Sequence, residues 1–140
     1  VNNLPAPVAE LADVTIAPLT GAEVLSGSTR LKAGTAQKLA LNMLSTATFA
    51  RLGKVYRNLM VDVQPTNVKL RARAVRILKE AASVDEAQAK RLLRQSNWEV
   101  KTALVMALAN VSVEEARERL RRAQGFVRVA VEQRSLTAVR

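Results

Sequence analysis

The 140-residue chain contains no cysteine and no histidine. Disulfides and thiolate nucleophiles are therefore impossible, and Ser-His or Cys-His catalytic pairs cannot be assembled. The usual ligands of zinc, copper and iron are missing too, so no metal and no cofactor is expected. Acid–base work would fall to Asp, Glu, Lys or the single tyrosine, Tyr56. Aromatics are scarce: Trp98, Tyr56, Phe49 and Phe126 form no stacking platform for single-stranded nucleic acid. No apolar run approaches the roughly 20 residues of a membrane span, which removes the membrane as an expected partner. The opening segment Val1-Asn2-Asn3-Leu4-Pro5-Ala6-Pro7 has neither the charged start nor the apolar stretch of a secretory signal. It also lacks an initiator methionine. The expectation is a fragment or processed product of a cytoplasmic protein.

Apolar residues make up 49% of the chain, which excludes a disordered tail and allows one small domain with a core plus an extension. The net charge of +10 is unevenly spread. Residues 1–66 hold 6 Lys/Arg against 4 Asp/Glu, and residues 67–140 hold 16 against 8. A basic half of this kind fits a polyanion-binding module or a solvated helical surface. With so few aromatics, the solvated surface is the expected role and nucleic acid is not an expected partner.

Residues 21–38 are the most distinctive stretch. They carry Gly21, Gly27 and Gly34, the hydroxyls of Ser26, Ser28, Thr29 and Thr35, and the cations Arg30, Lys32 and Lys38. The only carboxylate between Asp13 and Asp62 is Glu23. A loop of this composition before a long apolar helix can offer backbone N–H groups, hydroxyls and positive charge to an anion. It is also what a well-capped helix entrance needs. Glu23 can serve proton transfer, a sugar hydroxyl or the helix dipole. Arg30 and Lys32 can meet a phosphate or simply water.

Helical spacing of Leu31, Thr35, Leu39, Met43, Thr46 and Ala50 predicts a helix over about 29–52, stopped by Gly53. Leu41, Leu44, Ala47 and Phe49 widen its apolar surface, which suits burial in a larger body or an oligomer interface. Gln37 and Asn42 on that helix are expected to hydrogen-bond something buried. Upstream, Val8 to Ala12 reads as a helical turn and Val14-Thr15-Ile16-Ala17 as a short strand. Residues 54–64 read as an irregular or extended connection, with Asp62 and Asn67 bonding locally around a turn. A helix follows over 67–82, with Val68, Val75, Leu78 and Ala81 inward and Lys69, Arg71, Arg73, Arg76 and Lys79 outward. Three short helices are predicted over 86–95, 98–109 and 113–123, ending at Gly125. Ser83 with Glu86 and Ser112 with Glu115 fit capping boxes, and Asn97 is placed to cap the middle helix. Trp98 is expected to pack this module, and residues 134–140 show no pattern.

The run Gly21 to Lys38 resembles the signature of the N-acetylmuramic acid 6-phosphate etherase family, to which glucokinase regulatory protein is related. The likeness continues through Leu41-Asn42-Met43-Leu44-Ser45-Thr46, Leu52-Gly53-Lys54-Val55-Tyr56, Asn58 to Val63 and Thr66 to Leu70, and reaches about residue 132. The resemblance implies a fold that is mainly α in this chain: the C-terminal part of an α/β sugar isomerase (SIS) domain, a doubly wound sandwich, and then a small three-helix module like ubiquitin-associated domains. The implied divisions are 1–66 for the SIS part, 67–82 for a connecting helix, 83–125 for the three-helix module and 126–140 for a tail.

The family implies a lyase-type reaction that cleaves the D-lactyl ether of N-acetylmuramic acid 6-phosphate to N-acetylglucosamine 6-phosphate and D-lactate. By resemblance, Glu23 would sit near the reacting carbons as an assisting carboxylate, with Ser28, Thr29, Arg30 and Lys32 lining the sugar phosphate. The family's phosphate loops and its two catalytic glutamates lie in an N-terminal half with no counterpart here. The isolated chain is therefore expected to be inactive and to form a homodimer or associate with that missing half. Two alternatives stand beside this reading: a non-catalytic sugar-phosphate sensor of the same fold, and a basic helical module that binds nucleic acid or protein.

Overall fold

The computed structural model describes residues 1–133, and the patternless segment 134–140 lies outside them. The chain divides into two units, Val1–Thr48 and Phe49–Arg140. Among the described residues there are six α-helices and one two-stranded sheet, so the fold is mainly helical.

The first unit holds a single turn of 3-10 helix at Pro7–Leu11, a long irregular segment and most of helix α1 (Lys32–Arg51). The turn at 8–12 is thus present. The strand expected at 14–17 is not: these residues form no ladder, and Val14 and Ile16 are exposed. A β-branched run becomes a strand only where a neighbour supplies the other half of each hydrogen bond. α1 is three residues shorter at its start than expected, because residues 29–31 are taken up by turns. Its only buried residue is Ala33, while Leu39, Leu41, Met43 and Leu44 are exposed. Gln37 and Asn42 are exposed as well, so neither meets a buried partner within the described residues.

The second unit is built around α4 (Val100–Ala109), whose sequence VKTALVMALA carries one charge. A helix apolar on every side must be covered on every side. α2 (Val68–Ala82), α3 (Glu86–Gln95), α5 (Val113–Arg122) and α6 (Val127–Glu132) all pack against it. Leu78, Leu93, Leu104 and Val105 are fully buried in the resulting core. Each such side chain contributes roughly 1.5–3 kcal/mol relative to exposure. α2 is part of this body rather than a connector, since Ala74, Val75, Ile77, Leu78 and Ala81 are all buried. Val68, expected inward, is instead 85% exposed at the helix start. Residues 127–132, expected in a tail, form α6 because Val127 and Ala130 are buried in the core.

Residues 54–64 contain a small hairpin, with β1 (Val55–Tyr56) antiparallel to β2 (Leu59–Met60) and Tyr56 opposite Leu59. Tyr56 and Leu59 pack onto the helical core, which fixes the hairpin.

The caps follow local chemistry, with three departures. Asn67 Oδ1 accepts from the Leu70 amide at 2.9 Å and starts α2. Ser83 does not cap α3; it ends α2 with a left-handed backbone at φ 55°, and Asp85 takes the cap by accepting from Gln88 at 2.7 Å. Asn97 follows Ser96, the residue that ends α3, with a left-handed backbone at φ 53°, and Glu99 rather than Asn97 precedes α4. At α5, Ser112 Oγ accepts from the Glu115 amide at 3.2 Å, but the Glu115 carboxylate turns to Arg119 at 2.8 Å. Glu118 pairs with Arg122 at 2.7 Å, one turn further along the helix.

Candidate functional site

Helix α1 begins without a carboxylate of its own, and its first turn contains Lys32. Its exposed amides are met from a distance in sequence. Glu23 Oε2 accepts from the Lys32 amide and Oε1 from the Ala33 amide, each at 3.0 Å. The carboxylate therefore bridges two orphan donors with both oxygens, a charge-assisted arrangement at the positive end of the helix. Hydrogen bonds from Ala33 and then Lys32, with the nearby Lys32 charge, hold the Glu23 carboxyl below the ordinary glutamate range. A carboxylate so held stays ionised at neutral pH, which suits an anchor or acceptor better than a proton carrier.

The loop between Glu23 and α1 is tied by its own backbone. The Leu31 amide donates to the Ser28 carbonyl at 3.2 Å, and the Gly34 amide to the Thr29 carbonyl at 2.9 Å. A Cβ at Gly34 would stand only 3.4 Å from that Thr29 oxygen, so the loop folds closely over the helix start. On the other side, the Lys32 ammonium lies over Gly21, 3.9 Å from where a Cβ would project.

The five residues singled out from the sequence therefore do not all share one surface. Glu23 and Lys32 come together at the start of α1. Arg30 and Lys32 line one shallow surface with Leu31 and Thr35. Thr29 faces a different cleft of about 430 Å³, lined by Ile16, Pro18, Ala33, Gln37 and Leu41. Ser28 lines neither surface; it is half-buried, its backbone bonded to Leu25 and Leu31.

In the second unit, sequence reasoning missed Lys101. Its Nζ donates to the carbonyls of Gly53 at 3.2 Å and Gly125 at 3.4 Å, and pairs with Asp62 at 3.5 Å. Asp62 also pairs with Lys54 at 3.1 Å, so it joins an ion cluster instead of the local turn expected for it. Burial works against the Asp62 charge, but the Lys54 hydrogen bond and the Lys101 and Lys54 charges outweigh it and keep the carboxyl below its ordinary range. The available signal was that Lys101 is the lone charge of the most apolar helix. Gly53 and Gly125 meet backbone to backbone beside it, for a Cβ on Gly53 would lie 3.1 Å from the Gly125 carbonyl. Nearby, Glu99 accepts from Thr102 Oγ1 at 2.8 Å and from both Nε and Nη2 of Arg117, at 3.0 and 3.1 Å.

Among the described residues no cluster of acidic side chains could hold a metal ion, and no helix is long and apolar enough to cross a membrane.

Comparison with known proteins gives two results. Residues 57–103 match a family model described as the C-terminal lid domain of glucokinase regulatory protein. The chain is also 55% identical over 129 residues, 92% of its length, to N-acetylmuramic acid 6-phosphate etherases of Yersinia pestis (strain Pestoides F) and Yersinia pseudotuberculosis serotype O:1b (strain IP 31758). The aligned segment is 44% of each relative, so the chain spans less than half of their length. It matches their C-terminal part.

Proposed function

We propose that the chain works as the C-terminal portion of an N-acetylmuramic acid 6-phosphate etherase. One observation carries this: the 129-residue match at 55% identity is too long to lie within either structural unit, so both are shared with the relatives. In this reading the complete enzyme removes the proton beside the aldehyde carbon of the sugar and expels D-lactate. Water then adds to give N-acetylglucosamine 6-phosphate. Residues 1–66 would complete an SIS sandwich, and the helices beyond would form the lid-like, ubiquitin-associated-like module. The setting would be the cytoplasm, where amino sugars from peptidoglycan are recycled.

In this reading the chain has a binding role, which the fixed Glu23 carboxylate and the neighbouring cations support. Glu23, ionised and fixed by two amides, would accept a hydrogen bond from a sugar hydroxyl while holding the start of α1. Lys32 beside it, with Arg30 on the same surface, would meet the phosphate, whereas Thr29 lines a separate cleft and would bind there only other parts of the sugar. Acid and base would come from the portion of the enzyme that this chain does not span. The exposed apolar side of α1, with Leu41 at 58% exposure, supports a covered position against that portion or against a second copy.

The test is D-lactate release from N-acetylmuramic acid 6-phosphate. The purified chain alone should release none. Mixing it with the remaining N-terminal segment of the Yersinia pestis etherase should restore release. Turnover by the chain alone would refute the assignment, as would a stable mixed complex with no turnover.

The family-model match to a regulatory protein's domain favours a second reading, a sugar-phosphate sensor of the same fold. Binding of the phosphosugar by the mixed complex without lactate release would select it.

A further inference from the structure

The cations of the second unit are treated in two ways. On α5, Arg117, Arg119, Arg121 and Arg122 each pair with a glutamate. On α2, Lys69, Arg71, Arg73, Arg76 and Lys79 form no ion pair among the described residues, and all five are exposed. The helix α2 thus carries five cations outside any ion pair against a single carboxylate of its own, Glu80, with Glu86 of α3 near Lys79.

That helix borders a groove of about 510 Å³ shared with α3. Its lining is apolar along Val68, Ala72, Val75 and Trp98, with Arg71, Arg76, Lys79 and Lys90 around it. Trp98 reaches the groove through a strained path. Asn97 and Trp98 are both left-handed, at φ 53° and 63°, and a bulky residue rarely adopts that conformation. The Trp98 amide donates to the Leu93 carbonyl at 2.6 Å, locking the turn that ends α3. Arg71 is fixed over the indole, 5.0 Å from its centre, and its Nε donates to the Pro65 carbonyl at 3.4 Å. The groove therefore presents an ordered aromatic and a guanidinium held in place before anything binds, which lowers the ordering cost of association.

We propose that the α2–α3 groove docks an acidic peptide segment of another protein, with apolar side chains seated along Val68, Val75 and Trp98 and carboxylates meeting Arg76 and Lys79. The cations are spread along the groove instead of converging on a point, which disfavours a small phosphate as occupant. The apolar lining and the Glu86 carboxylate at its edge disfavour a nucleic-acid backbone, which needs continuous positive charge. An apolar groove with unpaired cations along it is complementary to an amphipathic acidic segment.

The test uses the full chain and its single tryptophan. Selection from a library of short random peptides should enrich sequences in which Asp or Glu flanks Leu, Ile or Phe. The best peptide should shift Trp98 emission on titration, and raised salt should weaken it. The double variant R76E/K79E, changed only at exposed positions, should keep its helical circular dichroism and bind at least about tenfold more weakly. A selection without acidic enrichment, an unmoved Trp98 signal, or unchanged binding by R76E/K79E would each overturn the proposal. Tighter binding of duplex DNA or RNA than of the best peptide would overturn it in favour of a nucleic-acid surface.

Discussion

The Glu23 carboxylate and the Ala33 amide, ten residues apart in sequence, meet at 3.0 Å and with Lys32 complete the first turn of α1. A long-range carboxylate thus does the work that a neighbouring Ser, Thr or Asp usually does at a helix start. Its position ties the geometry of the Gly21–Lys38 loop to its charge.

This linkage has a pH signature. The folded Glu23 carboxyl titrates below its unfolded value, because the Ala33 and Lys32 amides favour the ionised form. Its contribution to stability is therefore full above the ordinary glutamate range and is lost as pH falls through the lower, folded value. Glu23→Gln should flatten the acid limb of stability against pH. It should also speed amide exchange at Lys32 and Ala33, as measured by NMR, and unaltered exchange at both would dismiss the cap.

In the reconstituted etherase, Lys32→Ala should raise KM for the phosphosugar by about tenfold, with kcat nearly unchanged, if the ammonium serves binding alone. Steady-state kinetics on the mixed halves would decide. A fall in kcat at constant KM would move Lys32 into the chemistry.

Gly53 should tolerate no side chain. Its φ of +66° and the 3.1 Å approach to Gly125 make Gly53→Ala destabilising by more than about 1 kcal/mol in urea titration. The physical cause is strain plus collision with backbone, which cannot swing aside as a flexible side chain could.

Lys101→Met keeps the unbranched stem of the side chain as far as its ε position but removes the donor shared by the Gly53 and Gly125 carbonyls. A loss of about 1–3 kcal/mol is expected, since two acceptors and Asp62 lose a partner. Leu104→Ala, in the fully buried centre of α4, should cost about 2–5 kcal/mol by the same titration. Equal small losses for both would mean the core packs more loosely than its burial indicates.

Helix periodicity carried far in this chain. Residues 86–95 form the expected helix to the residue, and α2 and α5 differ from expectation by a single residue at one end. The reason is local: each segment presents one apolar stripe, and Asn67, Asp85 and Ser112 stop the chain from extending the helix backward. The errors fell where a residue had two possible jobs. Ser83 and Asn97 have cap chemistry that also suits a left-handed helix end, and only the path of the following chain chose between them. Composition alone also led to the interest in Glu23 and Lys32, but it could not separate Thr29 from them.

By itself the sequence determined that these 140 residues bring no thiol and no imidazole, the helical character of most segments, and the likeness to an etherase's C-terminal part. These are properties of residue types and of spacing along the chain, and they need no knowledge of what touches what. Tertiary structure decided that α2 and α6 belong to the core around α4, that Lys101 joins the turns at Gly53 and Gly125, and that Glu23 spends both oxygens on α1. Each of these depends on contacts between residues distant in sequence. Burial and hydrogen bonding are settled by the partner that arrives in space, and periodicity carries no record of it.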